Sequence, residues 1–144
     1  MHSQRRLHGS CVSRDGDAVL LLGPPGSGKS DLVLRLLSRG FDLVADDQVD
    51  VADSIASCPA ELAGLLEVRG LGIVRLPYCS RSRLALIVEL DGRADRMPLP
   101  YQHPQLHLPV VWIDASAASA PERVALALDC ALGRVSQVAG AFAA

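Results

Sequence analysis

Apolar positions fall in short runs along this chain, and the residues between the runs are as informative as the runs themselves. Leu7 to Ser13 and Ala18 to Leu22 are both strand-like, and they flank Arg14-Asp-Gly-Asp17, in which Asp15-Gly16 is a hairpin signal. The second run should therefore have an antiparallel neighbour, which a purely parallel doubly wound sheet does not supply; a mixed sheet is expected. From Lys29 to Arg39 the period changes. Leu32, Val33, Leu36 and Leu37 recur at helical spacing, and Gly40 suits a C′ stop. Phe41 to Ala45 returns to a strand pattern and ends in two carboxylates, with Gln48 to Val51 as its continuation. Ala52 to Ala63 is small, polar and broken by proline, which predicts a loop with one turn of helix.

Further on, Leu65 to Val68 and Leu71 to Leu76 read as strand segments around Gly70 and Gly72. Leu84 to Leu90 is the clearest buried strand, stopped by the turn signal Asp91-Gly92. Four prolines between Met97 and Pro109 predict irregular chain, and Val110 to Ile113 is another short strand. Pro121 to Leu132 has helical spacing with proline at a plausible N1 position. The Ala-rich tail from Val135 reads as a last helical turn or a frayed end. With no repeat and no dividing linker, residues 1–144 are expected to form a single α/β domain, a mixed sheet flanked by helices.

The join between the second strand and the first helix is Gly23-Pro-Pro-Gly-Ser-Gly-Lys-Ser30, which fits the phosphate-loop pattern G-x-x-x-x-G-K-[ST] in the strand-to-helix context that its mechanism requires. Gly23, Gly26 and Gly28, with Ser27 between them, let successive N–H groups turn toward phosphate oxygens, and the helix start adds its positive end. Lys29 would neutralise β- and γ-phosphates, and Ser30 would coordinate Mg²⁺. Lys29 is also the only lysine; the rest of the 14 basic residues are arginine. Arginine replaces lysine readily in surface pairs, but a phosphate loop needs a compact ammonium on a slim stem.

Composition narrows the partners. The chain is 49% hydrophobic but only 3% aromatic, so aliphatic residues build the core and few rings are offered for bases to stack on. A net charge of -2 gives no bulk attraction to nucleic acid or to an anionic membrane, and both are disfavoured as partners. No apolar stretch approaches the roughly 18 residues of a membrane helix, and Met1 to Asp17 lacks the apolar core of a secretory signal. Cys11, Cys58, Cys79 and Cys130 are scattered, with no C-x-x-C pair, as expected of reduced thiols in the cytoplasm.

Two more stretches carry chemistry. Asp46 and Asp47 follow a strand, so one should face the loop mouth and the other point away; a carboxylate there could hold Mg²⁺ or accept a proton, or could simply form an acidic turn. Glu67 and Arg69 share a strand face by alternation, and an ordinary surface ion pair accounts for them as well as function does. His103 and His107 are read as surface histidines, because the surrounding prolines argue against a metal-binding helix. Asp91 and Asp114 each end an apolar strand and read as turn residues.

Taken in order, His8-Gly9, the loop Gly23 to Ser30, Arg39-Gly-Phe-Asp-Leu-Val-Ala-Asp-Asp47 and Glu67-Val-Arg-Gly-Leu-Gly-Ile-Val74 resemble the catalytic domain of the bacterial HPr kinase/phosphorylase family. The likeness is close over about residues 7 to 76. It implies an ATP- and Mg²⁺-dependent protein serine kinase acting on an HPr-like phosphocarrier in phosphotransferase-system regulation, a step the family also runs backwards by phosphorolysis. It implies Asp46 as the group that takes the serine proton, with Asp47 supporting it and His8 near the phosphate; Ser30 and Glu67 as Mg²⁺ ligands; and Lys29 on the phosphates. Asp95-Arg96 is similar to a family pair whose arginine reaches the active site. A homo-oligomer, hexameric in the family, follows from the same likeness. The family's long amino-terminal domain has no counterpart in these 144 residues, the segment between Asp47 and Glu67 is short, and a Gly-Arg-Asn element expected after Ile113 is replaced by Asp114-Ala-Ser-Ala117. Such short forms resemble those of alphaproteobacteria. Two rivals stand beside this reading: a small-molecule phosphate-loop kinase, with Arg81 and Arg83 as a thin candidate for a lid, and an ATP-binding regulator without transferase activity.

Overall fold

The computed structural model describes residues 4–143. Ten strands and two helices follow one another: β1 (Gln4–His8), β2 (Ser10–Arg14), β3 (Asp17–Leu22), α1 (Lys29–Leu37), β4 (Asp42–Ala45), β5 (Gln48–Ala52), β6 (Ile55–Ser57), β7 (Leu65–Val68), β8 (Gly72–Arg75), β9 (Arg81–Glu89), β10 (Val110–Trp112) and α2 (Ala120–Ala131). The main sheet runs in the order β1-β5-β6-β9-β3-β2-β4, with β10 also paired to β9, while β7 and β8 form a separate ribbon. The sheet is mixed, as the hairpin signal predicts. β3 lies between antiparallel β2 and parallel β9.

Asp15 (φ 53°) and Gly16 (φ 86°) make the tight turn between β2 and β3, both in the left-handed region that a type I′ hairpin demands. The run Leu7 to Ser13 is not one strand but two. Gly9 divides it, so that β1 leaves to pair with β5 while β2 pairs with β3 and β4. Gly9 is dictated by space: a Cβ there would stand 2.8 Å from the carbonyl oxygen of Leu21. Gln48 to Val51 does not continue β4 either. The chain reverses at Asp46-Asp47, where Asp47 adopts φ 73°, and β5 sets off to meet β1. The Gly9 N–H donates to the Asp47 carbonyl at 3.1 Å and ties the two breaks together.

Ala52 to Ala63 holds a strand as well as the expected helical turn at Ala60–Leu62. β6 is reached through Asp53 (φ 52°) and Ser54 (φ 63°), a left-handed turn without glycine and so without the usual hairpin signal. α1 and α2 form close to their expected limits. Gly40, with φ 90°, lies two residues beyond the C-cap Ser38.

Strand alternation sorts the core onto two faces of the sheet. Val19 and Leu21 of β3 join Leu32, Val33 and Leu36 of α1 and Val124 and Leu128 of α2 in one cluster. Ala18 and Leu20 join Val49 and Val51 of β5 and Ala56 of β6 in the other. Both flanking helices therefore cover the same face. The second face is closed by the sheet itself, which curls until β5 approaches β2 and β6 approaches β4. Arg35 donates to the Ala115 and Ala117 carbonyls and Arg39 pairs with Glu122, fastening α1 to the start of α2. Among the described residues no helix is long and apolar enough to cross a membrane.

Substitutions at two positions test this account. Gly9→Ala should lower unfolding stability by about 1–3 kcal/mol in urea titrations, because the clash is with backbone. Asp47→Val should cost about 1–2 kcal/mol for its left-handed backbone, whereas Asp47→Gly should stay within about 0.5 kcal/mol of the parent.

Candidate functional site

The loop from Gly23 to Ser30 leaves the end of β3 and re-enters structure as α1. Gly26 (φ 82°) and Gly28 (φ 97°) take left-handed conformations, and Gly28, the N-cap, brings the loop so near the end of β10 that an added Cβ would stand 3.2 Å from the Ala115 methyl. A Cβ on Gly23 would stand 2.7 Å from the Ser27 hydroxyl. The Lys29 side chain folds back across the loop. Its ammonium donates to the carbonyls of Gly23 at 2.7 Å and Pro24 at 3.2 Å and to the Ser27 hydroxyl at 3.5 Å. These partners are neutral oxygens. Burial lowers the Lys29 pKa from its ordinary value, opposed by the charges of Asp46 and Asp47. A buried cation held only by neutral oxygens is a good partner for an arriving anion.

Two strands away, β4 ends beside the start of α1. Asp46 is 7% exposed and accepts hydrogen bonds from two hydroxyls. Ser30 donates to both of its oxygens, each at 2.9 Å, and Ser10 to Oδ1 at 2.7 Å. The lone pairs of the Ser30 oxygen stay available for a metal ion while its proton rests on the carboxylate. Asp47 is set further out, its side chain 65% exposed, and its Oδ1 stands 3.5 Å from His8 Nδ1.

The ribbon closes the far side. Leu66 is fully buried in the α1 face of the core, so alternation turns its neighbour Glu67 outward. Arg69 lies just past β7, in the turn that Gly70 (φ 83°) makes possible. A cavity of about 880 Å³ opens between ribbon, loop and β4, lined by Lys29, Ser30, Asp46, Asp47, Glu67 and His8 together with Arg69. That is room for a nucleotide. Ser30, Asp46 and Glu67 bring hard oxygen donors to it, a set suited to Mg²⁺, which takes one or two protein oxygens and completes its shell with phosphate and water. Among the described residues no group of three His, Cys, Asp or Glu is placed to hold a metal unaided.

Arg96 is exposed, in the irregular stretch after β9, and is not among the residues lining this cavity. Asp91 is paired with Arg93, and Asp114 accepts from the Ser116 N–H and hydroxyl, which holds its pKa below the usual carboxylate range; both are turn residues, as read. The Nδ1 of His103 accepts from the N–H groups of Gln105 and Leu106, so it is not free for a metal. Arg81 and Arg83 begin β9. Since Arg83 is in register with Asp17 and Glu89 with Leu22, those arginines sit at the opposite end of the sheet from the loop and cannot serve as its lid. Sequence reasoning missed Ser10. Its signal was a polar residue at the head of a buried strand that also holds Ser13, visible but not diagnostic.

Comparison with known proteins identifies the family of the chain. Residues 1–93 match the family model of the HPr Serine kinase C-terminal domain. A protein named HPr kinase/phosphorylase from Cupriavidus metallidurans is 38% identical over 130 residues, covering 78% of this chain and 40% of that protein. One of the same name from Burkholderia lata is 43% identical over 112 residues, covering 67% and 35%. The chain thus spans about two fifths or less of these relatives. In three dimensions it is similar to the Hpr(Ser) kinase/phosphatase from Coxiella burnetii, with a TM-score of 0.75 over 90% of this chain and 92% of that one; at 24% identity the likeness speaks to fold alone. With the loop, Val44-Ala-Asp-Asp47 and Glu67 to Val74 all inside the matched span, this chain belongs to the family of the HPr serine kinase C-terminal domain.

Proposed function

We propose that the domain transfers the γ-phosphoryl group of ATP to a serine hydroxyl of an HPr-like phosphocarrier protein. One observation carries the reading: Lys29 and Ser30 of α1, Asp46 in the turn after β4, and Glu67 of β7 line a single cavity. The acceptor serine oxygen attacks the γ-phosphorus, its proton passes to Asp46, the bond from γ-phosphorus to the β,γ-bridging oxygen breaks, and ADP leaves with that electron pair. Lys29 exchanges its loop carbonyls for phosphate oxygens, and the loop N–H groups steady the charge that builds there. Ser30 and Glu67 would hold Mg²⁺, which would supply positive charge against the phosphates. Asp47 and His8, at the open edge, flank the place where a protein acceptor enters.

The same groups accommodate the reverse reaction. An oxygen of inorganic phosphate passes its proton to Asp46 and attacks the phosphoserine phosphorus, the serine oxygen leaves and takes that proton from Asp46, and pyrophosphate is released. Phosphorolysis belongs to this proposal, as do a cytoplasmic location and a homo-oligomeric state, which rest on the family resemblance. Of the two rivals, the small-molecule kinase lost its candidate lid with Arg81 and Arg83, and nothing in the cavity favours it. The silent regulator remains as an outcome of the test.

Labelled ATP, Mg²⁺ and the HPr-like carrier from the same organism make the assay. Phosphoserine should appear on the carrier. Asp46→Asn should slow its formation by about 10²-fold or more while nucleotide still binds, and Lys29→Met should weaken nucleotide binding itself. A carrier that stays unlabelled while ATP binds would overturn the kinase reading in favour of the regulator, and label found only on small metabolites would favour the other rival.

A further inference from the structure

Asp46 is held by two serines, and they do different things. Ser30 stands 2.9 Å from Oδ1 and 2.9 Å from Oδ2, so its single proton is shared and does not distinguish one oxygen from the other. Ser10 donates to Oδ1 alone, at 2.7 Å. Its side chain is wholly buried, and its backbone is locked in the ladder opposite Leu21, so the direction of that bond is set by the sheet and not by a loop. Ser10 therefore breaks the symmetry of the carboxylate. Oδ1 takes one full bond and a share of another; Oδ2 takes the share only and keeps an open lone pair.

We propose that Ser10 is a positioning residue for phosphoryl transfer: it fixes the rotation of the Asp46 carboxylate and reserves Oδ2 as the oxygen that accepts the serine proton. The inference rests on Asp46 being the proton acceptor. Without Ser10 the carboxylate keeps one partner shared between its two oxygens, and it is free to rock about its Cβ–Cγ bond. The substrate proton then meets an oxygen whose lone pairs are spread over several directions. Ser10 lines the cavity wall beside Asp46 but lies outside the phosphate loop and is fully buried, so its loss should leave nucleotide binding largely unchanged.

The test compares Ser10→Ala, Ser10→Thr and Asp46→Asn, each alone, and Ser10→Ala combined with Asp46→Asn, in the full chain. Turnover is measured with ATP, Mg²⁺ and the carrier, and the Asp46 carboxyl is followed by ¹³C NMR in the absence of substrate. Ser10→Ala should lower kcat by about 10- to 100-fold, the scale of a hydrogen bond to a charged group, with KM for ATP within about twofold. Ser10→Thr, which keeps the hydroxyl, should restore kcat to within about threefold. Ser10→Ala should add nothing to the loss already caused by Asp46→Asn. The Asp46 carboxyl resonance should move in Ser10→Ala and return toward its parent position in Ser10→Thr. An unmoved resonance, or parental kcat in Ser10→Ala beside an inactive Asp46→Asn, would overturn the positioning role and leave Asp46 as the acceptor. Full activity in Asp46→Asn would instead remove the acceptor reading, and this inference with it.

Discussion

The site hangs from β3, a strand buried on both faces. Val19 and Leu21 are pressed against the helices, Ala18 and Leu20 against the curled half of the sheet, and none of the four is measurably exposed. A strand so held cannot slide by one residue without turning every side chain to the wrong face. Its end at Leu22 is thus a fixed point, and the turn into α1 begins from it. The same register sets the neighbours. β9 runs parallel, and β2 returns antiparallel and brings β4 along its other edge. In this way apolar packing delivers Asp46 to Ser30 without any attraction between the polar groups being needed to bring them together.

What lay within reach of the sequence was whatever depends on local chemistry. The hairpin at Asp15-Gly16, the loop with its flanking strand and helix, and the apolar strand of β9 each follow from residues close together in the chain. The errors arose where distant contacts decided. Gly9 looked like an interior residue of one strand, and only the Leu21 carbonyl pressing on it shows why the run splits. Gln48 to Val51 looked like more of β4, because nothing local announces that Asp47 will accept a left-handed backbone. β6 was hidden by a left-handed turn built from Asp53 and Ser54 in place of glycine. The site divides likewise: the loop was legible from its pattern, and Glu67 was singled out by family resemblance. Ser10 was not legible, since a serine in a strand acquires meaning only from the carboxylate across from it.

Electrostatics explain why the loop waits in the form seen here. Lys29 carries its charge in a largely buried place, at a cost that the carbonyls of Gly23 and Pro24 offset only in part. Burial pushes its pKa down, and the nearby aspartates act against that. A polyphosphate relieves the same stress more fully, by giving the ammonium a charged partner where it now has neutral ones. Binding energy at this loop is therefore available before any contact with the base or ribose of a nucleotide.

The adjacent aspartates show how one turn can separate two tasks. Had the backbone stayed extended, Asp46 and Asp47 would simply have pointed to opposite faces of a strand. The left-handed step at Asp47 instead ends the strand, and the Gly9 N–H fixes the new direction through the Asp47 carbonyl. Asp46 stays inside, satisfied by two hydroxyls and adjacent to the loop. Asp47 is set at the rim with His8, in contact with solvent. A buried carboxylate can be aimed, because packing restricts it, but it cannot adapt to an incoming surface. An exposed one adapts but is not aimed. The phosphoryl transfer proposed above, with a rigidly held donor and a protein acceptor, calls for one of each, and the turn between β4 and β5 supplies both from consecutive residues.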